Sequence, residues 1–221
     1  MYTIITAMKK RYVFLIIAAA LLVLIAIAVI IIVSPRKPEN VALDSSLVIP
    51  HLKDGYIILR QGEATYSAVF SDVSLTDKRF SHLGIIRIRD EEIVIINSVG
   101  NLFKKSEGVK TSTLESFLKE AMSVGIFKFK YADASQISDK SLDYLDRPFD
   151  WGFDASNDKR IYCSELMHVI LKDIAPEHVL TAVYLESIGK DVIPLDSISA
   201  SDMFEELFFL EIDNKNKKAR K

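Results

Sequence analysis

From Tyr12 to Val33 the chain reads YVFLIIAAALLVLIAIAVIIIV, an apolar run without a charge, and no other feature limits its folding as strongly. A helix rising about 1.5 Å per residue over that length crosses a hydrocarbon core of roughly 30 Å. The run therefore predicts a transmembrane helix over 12–33, preceded by a cytoplasmic segment, 1–11. A cleaved signal peptide fits less well. Its apolar stretch is usually about 7–15 residues long and ends in small side chains, whereas this run ends Ile30-Ile31-Ile32-Val33-Ser34-Pro35. Lys9, Lys10 and Arg11 lie before the run, Arg36 and Lys37 after it. The positive-inside bias then leaves the N-terminus in the cytoplasm and the folded part periplasmic or otherwise extracytoplasmic.

The rest of the 221 residues has the size of one domain. Residues 34–46 (SPRKPENVALDSS) read as a linker, with two prolines and few large apolar side chains. The folded domain is expected over 47–213, and 214–221 (NKNKKARK) reads as a solvated basic tail. A net charge of −2 and the lack of a basic stripe interleaved with aromatics argue against a nucleic-acid partner. The sequence has no Gly-rich phosphate loop, so no nucleotide is expected. No cofactor is called for.

Tyr56–Arg60, His82–Arg89, Glu92–Ser98, Gly125–Tyr131 and Leu207–Ile212 have strand character. Asp90-Glu91 reads as the turn of a hairpin between the second and third of these. Ser112-Thr113-Leu114-Glu115 resembles a capping box and predicts a helix through about Val124. Ser138–Leu145 is a further helix candidate, and Ser201-Asp202-Met203-Phe204-Glu205 reads as the start of a short one. Tyr162–Ile174 gives the clearest helical stripe, Leu166, Ile170 and Ile174. Strands and helices without βαβ alternation predict an α+β domain, an antiparallel sheet packed on helices.

Chemistry centres on Cys163, the one cysteine. It opens the clearest helix, where unsatisfied N–H groups and the positive end of the dipole favour thiolate. A buried, inert thiol is the competing reading. His82 starts the hairpin. A two-residue turn pairs Arg89 with Glu92 and Gly84 with Asn97, which puts His82 and Asn97 on one face as diagonal neighbours about 7–8 Å apart at the backbone. A four-residue loop keeps that face, and a three-residue loop substitutes Ser98. A base oriented by a third polar group is the arrangement thiol enzymes use. His51, His168 and His178 have no partner at metal-ligand spacing, and no metal is expected. Pro148–Asp154 brings Phe149, Trp151 and Phe153 just upstream of the cysteine, as a wall for an apolar substrate or as an anchored loop.

In order, Gly55–Gly62, Phe80–Ile85, Pro148–Asp154 and Tyr162–Leu166 (GYIILRQG, FSHLGI, PFDWGFD, YCSEL) resemble the permuted papain-like amidases, the YiiX/YaeF-like branch of the NlpC superfamily. The resemblance spans essentially the whole soluble domain. It implies a circularly permuted papain-like fold, with the histidine ahead of the cysteine, and a thiol hydrolase or acyltransferase acting on amide or ester bonds. By position, Cys163 becomes the nucleophile, His82 the base and Asn97 the residue that orients it, where many relatives have a carboxylate. Tyr56 stands where the family usually has Asp. Tyr56, Trp151 and Tyr162 are the candidate substrate contacts, and a cell-wall peptide or a lipid acyl group is the candidate substrate. A non-catalytic lipid- or peptide-binding domain on the same fold is the alternative.

Overall fold

The computed structural model describes residues 43–62, 73–100, 107–156, 158–186, 189–213 and 218–220. The apolar run 12–33 lies outside them. Among the described residues no helix is long and apolar enough to cross a membrane.

The chain opens with α1 (Ser45–Val48), capped by the Asp44 carboxylate. Leu43, assigned by composition to the linker, is already buried. Then follow β1 (Ile57–Gly62), β2 (His82–Arg89), β3 (Glu92–Ser98), β4 (Val109–Thr113), α2 (Leu114–Leu118), β5 (Ala121–Phe129) and α3 (Ala134–Ser141). The remaining elements are α4 (Cys163–Ile174), β6 (Val183–Leu185), β7 (Lys190–Val192), α5 (Asp196–Ser199), β8 (Phe204–Asp213) and β9 (Lys218–Arg220). Seven strands form an antiparallel sheet in the order β4-β3-β2-β1-β5-β8-β9, and β6 and β7 make a separate hairpin. The α+β expectation holds. β9 pairs three residues of the basic tail with Glu211–Asp213.

Both faces of the sheet are covered. Ile57, Leu59, Leu83, Ile85, Ile96 and Phe127 face α4, joining Leu166, Met167 and Ile170 in one core. Ile58, Ile86, Ile95, Val124 and Ile126 face the other way, onto Leu114, Phe117 and Leu118 of α2. A strand buried on both faces reads as a continuous apolar run rather than an alternating one. This explains the largest departure from the sequence reading. The helix expected through Val124 stops at Leu118, because Glu120 takes a positive φ of 61° and the chain turns into β5. Its cap is Thr113, whose side chain accepts from Ser116 N–H, while Ser112 lies in β4. The helix start expected at Ser201 is likewise absent: Phe204 already belongs to β8, paired with Phe129.

The β2–β3 hairpin has the expected strand limits and turn, but its ladder stops before the expected Gly84–Asn97 pair. Asp90 and Glu91 both have positive φ, 49° and 67°, which a two-residue turn matching the right-handed strand twist demands. Pairing runs from Arg89–Glu92 to Ile85–Ile96.

Candidate active site

The hairpin ladder stops at Ile85–Ile96, although both strands run further, to His82 and Ser98. The start of α4 fills the opened end. The Ser98 hydroxyl donates to the Ile161 carbonyl, and the Leu83 N–H points at the Cys163 sulfur. From the other side, Ser164 Oγ donates to the Ile193 carbonyl at 2.6 Å and the Ile193 N–H donates to the Tyr162 hydroxyl at 2.8 Å. Tyr162 N–H donates to Glu165 Oε2 at 3.2 Å. Each of these ties is buried, and breaking one leaves a desolvated polar group that costs about 1–3 kcal/mol. The helix start is therefore held from two sides.

His82 occupies the same strand end. It is one residue before Leu83, whose N–H meets the sulfur, and its side chain leaves the opposite face of the strand. His82 Nε2 lies 3.1 Å from Asn97 Oδ1. Asn97 is buried, and its Nδ2 donates to the Ile95 carbonyl at 3.1 Å and to Ser112 Oγ at 3.0 Å. A carbonyl can only accept, so flipping the amide would set its oxygen against the Ile95 carbonyl. Asn97 Oδ1 must then face the ring, Nε2 must carry the proton, and Nδ1 keeps the lone pair. The Phe117 ring packs on the imidazole, with centroids 5.5 Å apart. Gly84 makes this packing possible, since a Cβ there would meet Ile95 Cγ2 at 2.2 Å and Phe117 Cε2 at 3.0 Å.

The electrostatics differ from what a helix start suggests. Burial pushes the Cys163 thiol up to about 11, outweighing the N–H groups of Ser164, Leu83 and Cys163 itself and the charge of Arg60. Burial, aided by Arg60, pushes the His82 imidazole down to about 3 against the pull of its Asn97 bond. The expectation that the dipole leaves a thiolate is corrected: removing the sulfur from water costs the anion more than three N–H dipoles return. The resting pair is neutral.

The three candidate substrate contacts part company. Tyr56 lies four residues before Arg60 on its strand, about 13 Å away, and packs against the Ile58–Phe117 core. Tyr162 is buried and spent on Ile193. Trp151 is 41% exposed and rests on Phe149 at a centroid distance of 4.8 Å. Pro148–Asp154 is built around Asp150, whose carboxylate accepts from the N–H groups of Gly152 and Asp154. Glu165 is buried, with Oε1 lacking a partner. Burial, with Asp150 and Asp154 adding, pushes its carboxyl up to about 8.

Sequence reading gave no place at the site to Arg60, whose register partner is His82, or to Ser112, which accepts from Asn97 Nδ2. Strand pairing across a long connection has no local signal. The remaining histidines are ordinary: His51 stacks on Phe208, His178 stacks on Tyr131, and His168 Nδ1 lies 3.0 Å from the Leu180 carbonyl.

The model of the permuted papain-like amidase enzymes, the YaeF/YiiX or C92 family, matches residues 51–188. This chain belongs to the permuted papain-like amidases. As a member of a family of papain-like cysteine amidases, it is a cysteine hydrolase. No curated protein matches it. Among solved structures it resembles that of the metalloprotein yiiX from Escherichia coli O157:H7, at a TM-score of 0.53 and 15% identity, covering 71% of this chain and 96% of the other. At that identity the likeness concerns the fold, and it extends over nearly all of the neighbour.

Proposed function

We propose that this amidase cleaves an amide or ester through a thioester on Cys163, with His82 as base and Asn97 as its orienting residue. The observation that carries the reading is the His82 Nε2–Asn97 Oδ1 bond, which leaves the Nδ1 lone pair to accept a proton. The thiol proton passes to Nδ1 as sulfur attacks the carbonyl carbon, and the carbonyl π pair moves onto oxygen. N–H groups at the start of α4, that of Cys163 among them, favour that oxyanion. Collapse breaks the scissile bond, and the leaving amine or alkoxide takes the proton from His82. Water, deprotonated by Nδ1, then attacks the thioester, which releases the acid and restores the thiol. Because both groups rest neutral, proton transfer accompanies attack rather than preceding it.

The substrate is a cell-wall peptide or a lipid acyl group, presented near the bilayer by an anchor at 12–33. The apolar run and the exposed Trp151 support that setting. Among the described residues no three His, Cys, Asp or Glu side chains converge to hold an ion.

The test is intact mass spectrometry of the full chain with peptidoglycan fragments and acyl lipids. An acyl adduct on Cys163, absent from Cys163→Ala and His82→Ala along with turnover, supports the scheme. Full turnover in Cys163→Ala ends it. A second reading, a lipid- or peptide-binding domain, is favoured by the 4% exposure of Cys163. It predicts a co-purified ligand retained by Cys163→Ala, with no turnover in either protein.

A further inference from the structure

Arg60 is half-buried on β1. Register places it directly across from His82, so both side chains leave the same face of the sheet. That face is also the one on which Phe117 sits. The Arg60 guanidinium carbon lies 5.4 Å from the centre of the Phe117 ring, and the His82 ring lies 5.5 Å from it. One aromatic ring thus packs against both the cation and the imidazole. Face-on contact between a guanidinium and an aromatic ring is attractive and restrains the long side chain.

We infer that Arg60 is a positioning residue for the thiol chemistry, a fixed positive charge that favours the anionic sulfur and disfavours a charged imidazole. This rests on the Cys163–His82 reading. The Arg60 cation directly across from His82 repels an imidazolium, and by the same sign it favours a thiolate and a developing oxyanion. Its charge is felt by both groups, lowering each. The effect on the histidine keeps the base unprotonated well into acid. The other titratable groups near the start of α4 are Tyr162 and Glu165, with Asp150 in the preceding loop. They act on one another, Glu165, Cys163 and Asp150 each raising the Tyr162 hydroxyl. Asn97 and Phe117, which face the imidazole from β3 and α2, carry no charge.

The probe is iodoacetamide, which reports the thiolate of Cys163, the one cysteine of the chain, without needing a known substrate. Rates are measured across pH on the purified full chain, with Arg60→Gln, Arg60→Met and Arg60→Lys variants, and His82 is titrated by NMR in each. In Gln and Met both apparent pKa values rise. Alkylation at fixed neutral pH falls about tenfold for each unit the thiol gains. Lys restores much of both, because it keeps the charge. Met keeps an apolar stem against Phe117, so a purely steric role would leave Met close to wild type and Lys no better. Unchanged titrations in Gln and Met overturn the inference, as does Lys behaving like Met. Wild-type turnover in Cys163→Ala instead overturns the Cys163–His82 reading, a result the Arg60 titrations cannot mimic.

Discussion

The β2–β3 hairpin has two ends, and they are built by opposite means. At one end Asp90 and Glu91 close the strands with a two-residue turn of positive φ, using nothing beyond the turn and the pairs beside it. At the other, pairing stops at Ile85–Ile96 and the gap is held by residues about 60 to 80 positions away in sequence, Ile161 and Cys163. The closed end is exposed and tolerant. The opened end is buried, and its Ser98 hydroxyl and Leu83 N–H answer to distant residues. Opening the ladder leaves room for the start of α4 to dock on the hairpin.

The comparison is broken most sharply at Asn97. Asn97→Ala removes the acceptor that assigns the proton to His82 Nε2, and turnover is expected to fall on the order of a hundredfold, read as kcat with folding checked by circular dichroism. A substitution at the closed end that cost as much would show that the two ends are not distinct in function. Next comes Ser98→Ala, which strands the buried Ile161 carbonyl. It should destabilise the domain by about 1–3 kcal/mol in urea unfolding, with alkylation of Cys163 accelerated as the helix start loosens.

Glu165→Gln separates the ends by pH. The carboxyl is raised in the folded protein, from 4.5 to about 8, chiefly by burial. The folded state then binds the extra proton, so this group's contribution is fully present below about 4.5 and is lost as pH rises through about 8. Urea unfolding across that window should show stability declining in wild type and a flatter profile in Glu165→Gln. The smallest effect belongs to the closed end. Glu91→Gly relieves a left-handed backbone at an exposed position and should stabilise by about 1 kcal/mol in the same assay, with no change in Cys163 alkylation.

Local signals carried much of this. The hairpin limits, the type of turn and the helix from Cys163 to Ile174 follow from alternation, a turn-forming pair and a helical stripe, each a matter of neighbours within a few residues. The same logic failed where a strand is buried on both faces. Ser112 and Thr113 look like caps, and Thr113 is one, yet the helix they open runs only to Leu118 because Val124, Ile126 and Phe127 are divided between two cores. The likeness of four ordered motifs to the permuted amidases reached Cys163 and His82, residues far apart in the chain, but it gave no part to Arg60, inside the first motif, or to Ser112, whose neighbours are set by strand register.

By itself the sequence determined which segments become strand or helix at the hairpin and at α4, and which side chains were available for thiol chemistry. Tertiary structure decided the state of those side chains. Whether a thiol at a helix start is anion or neutral depends on how much water reaches it, and Cys163 is buried in the core it shares with Leu83, Leu166 and Met167. Dipole and sequence position are local; desolvation belongs to the whole packed arrangement, and at Cys163 it is the larger effect.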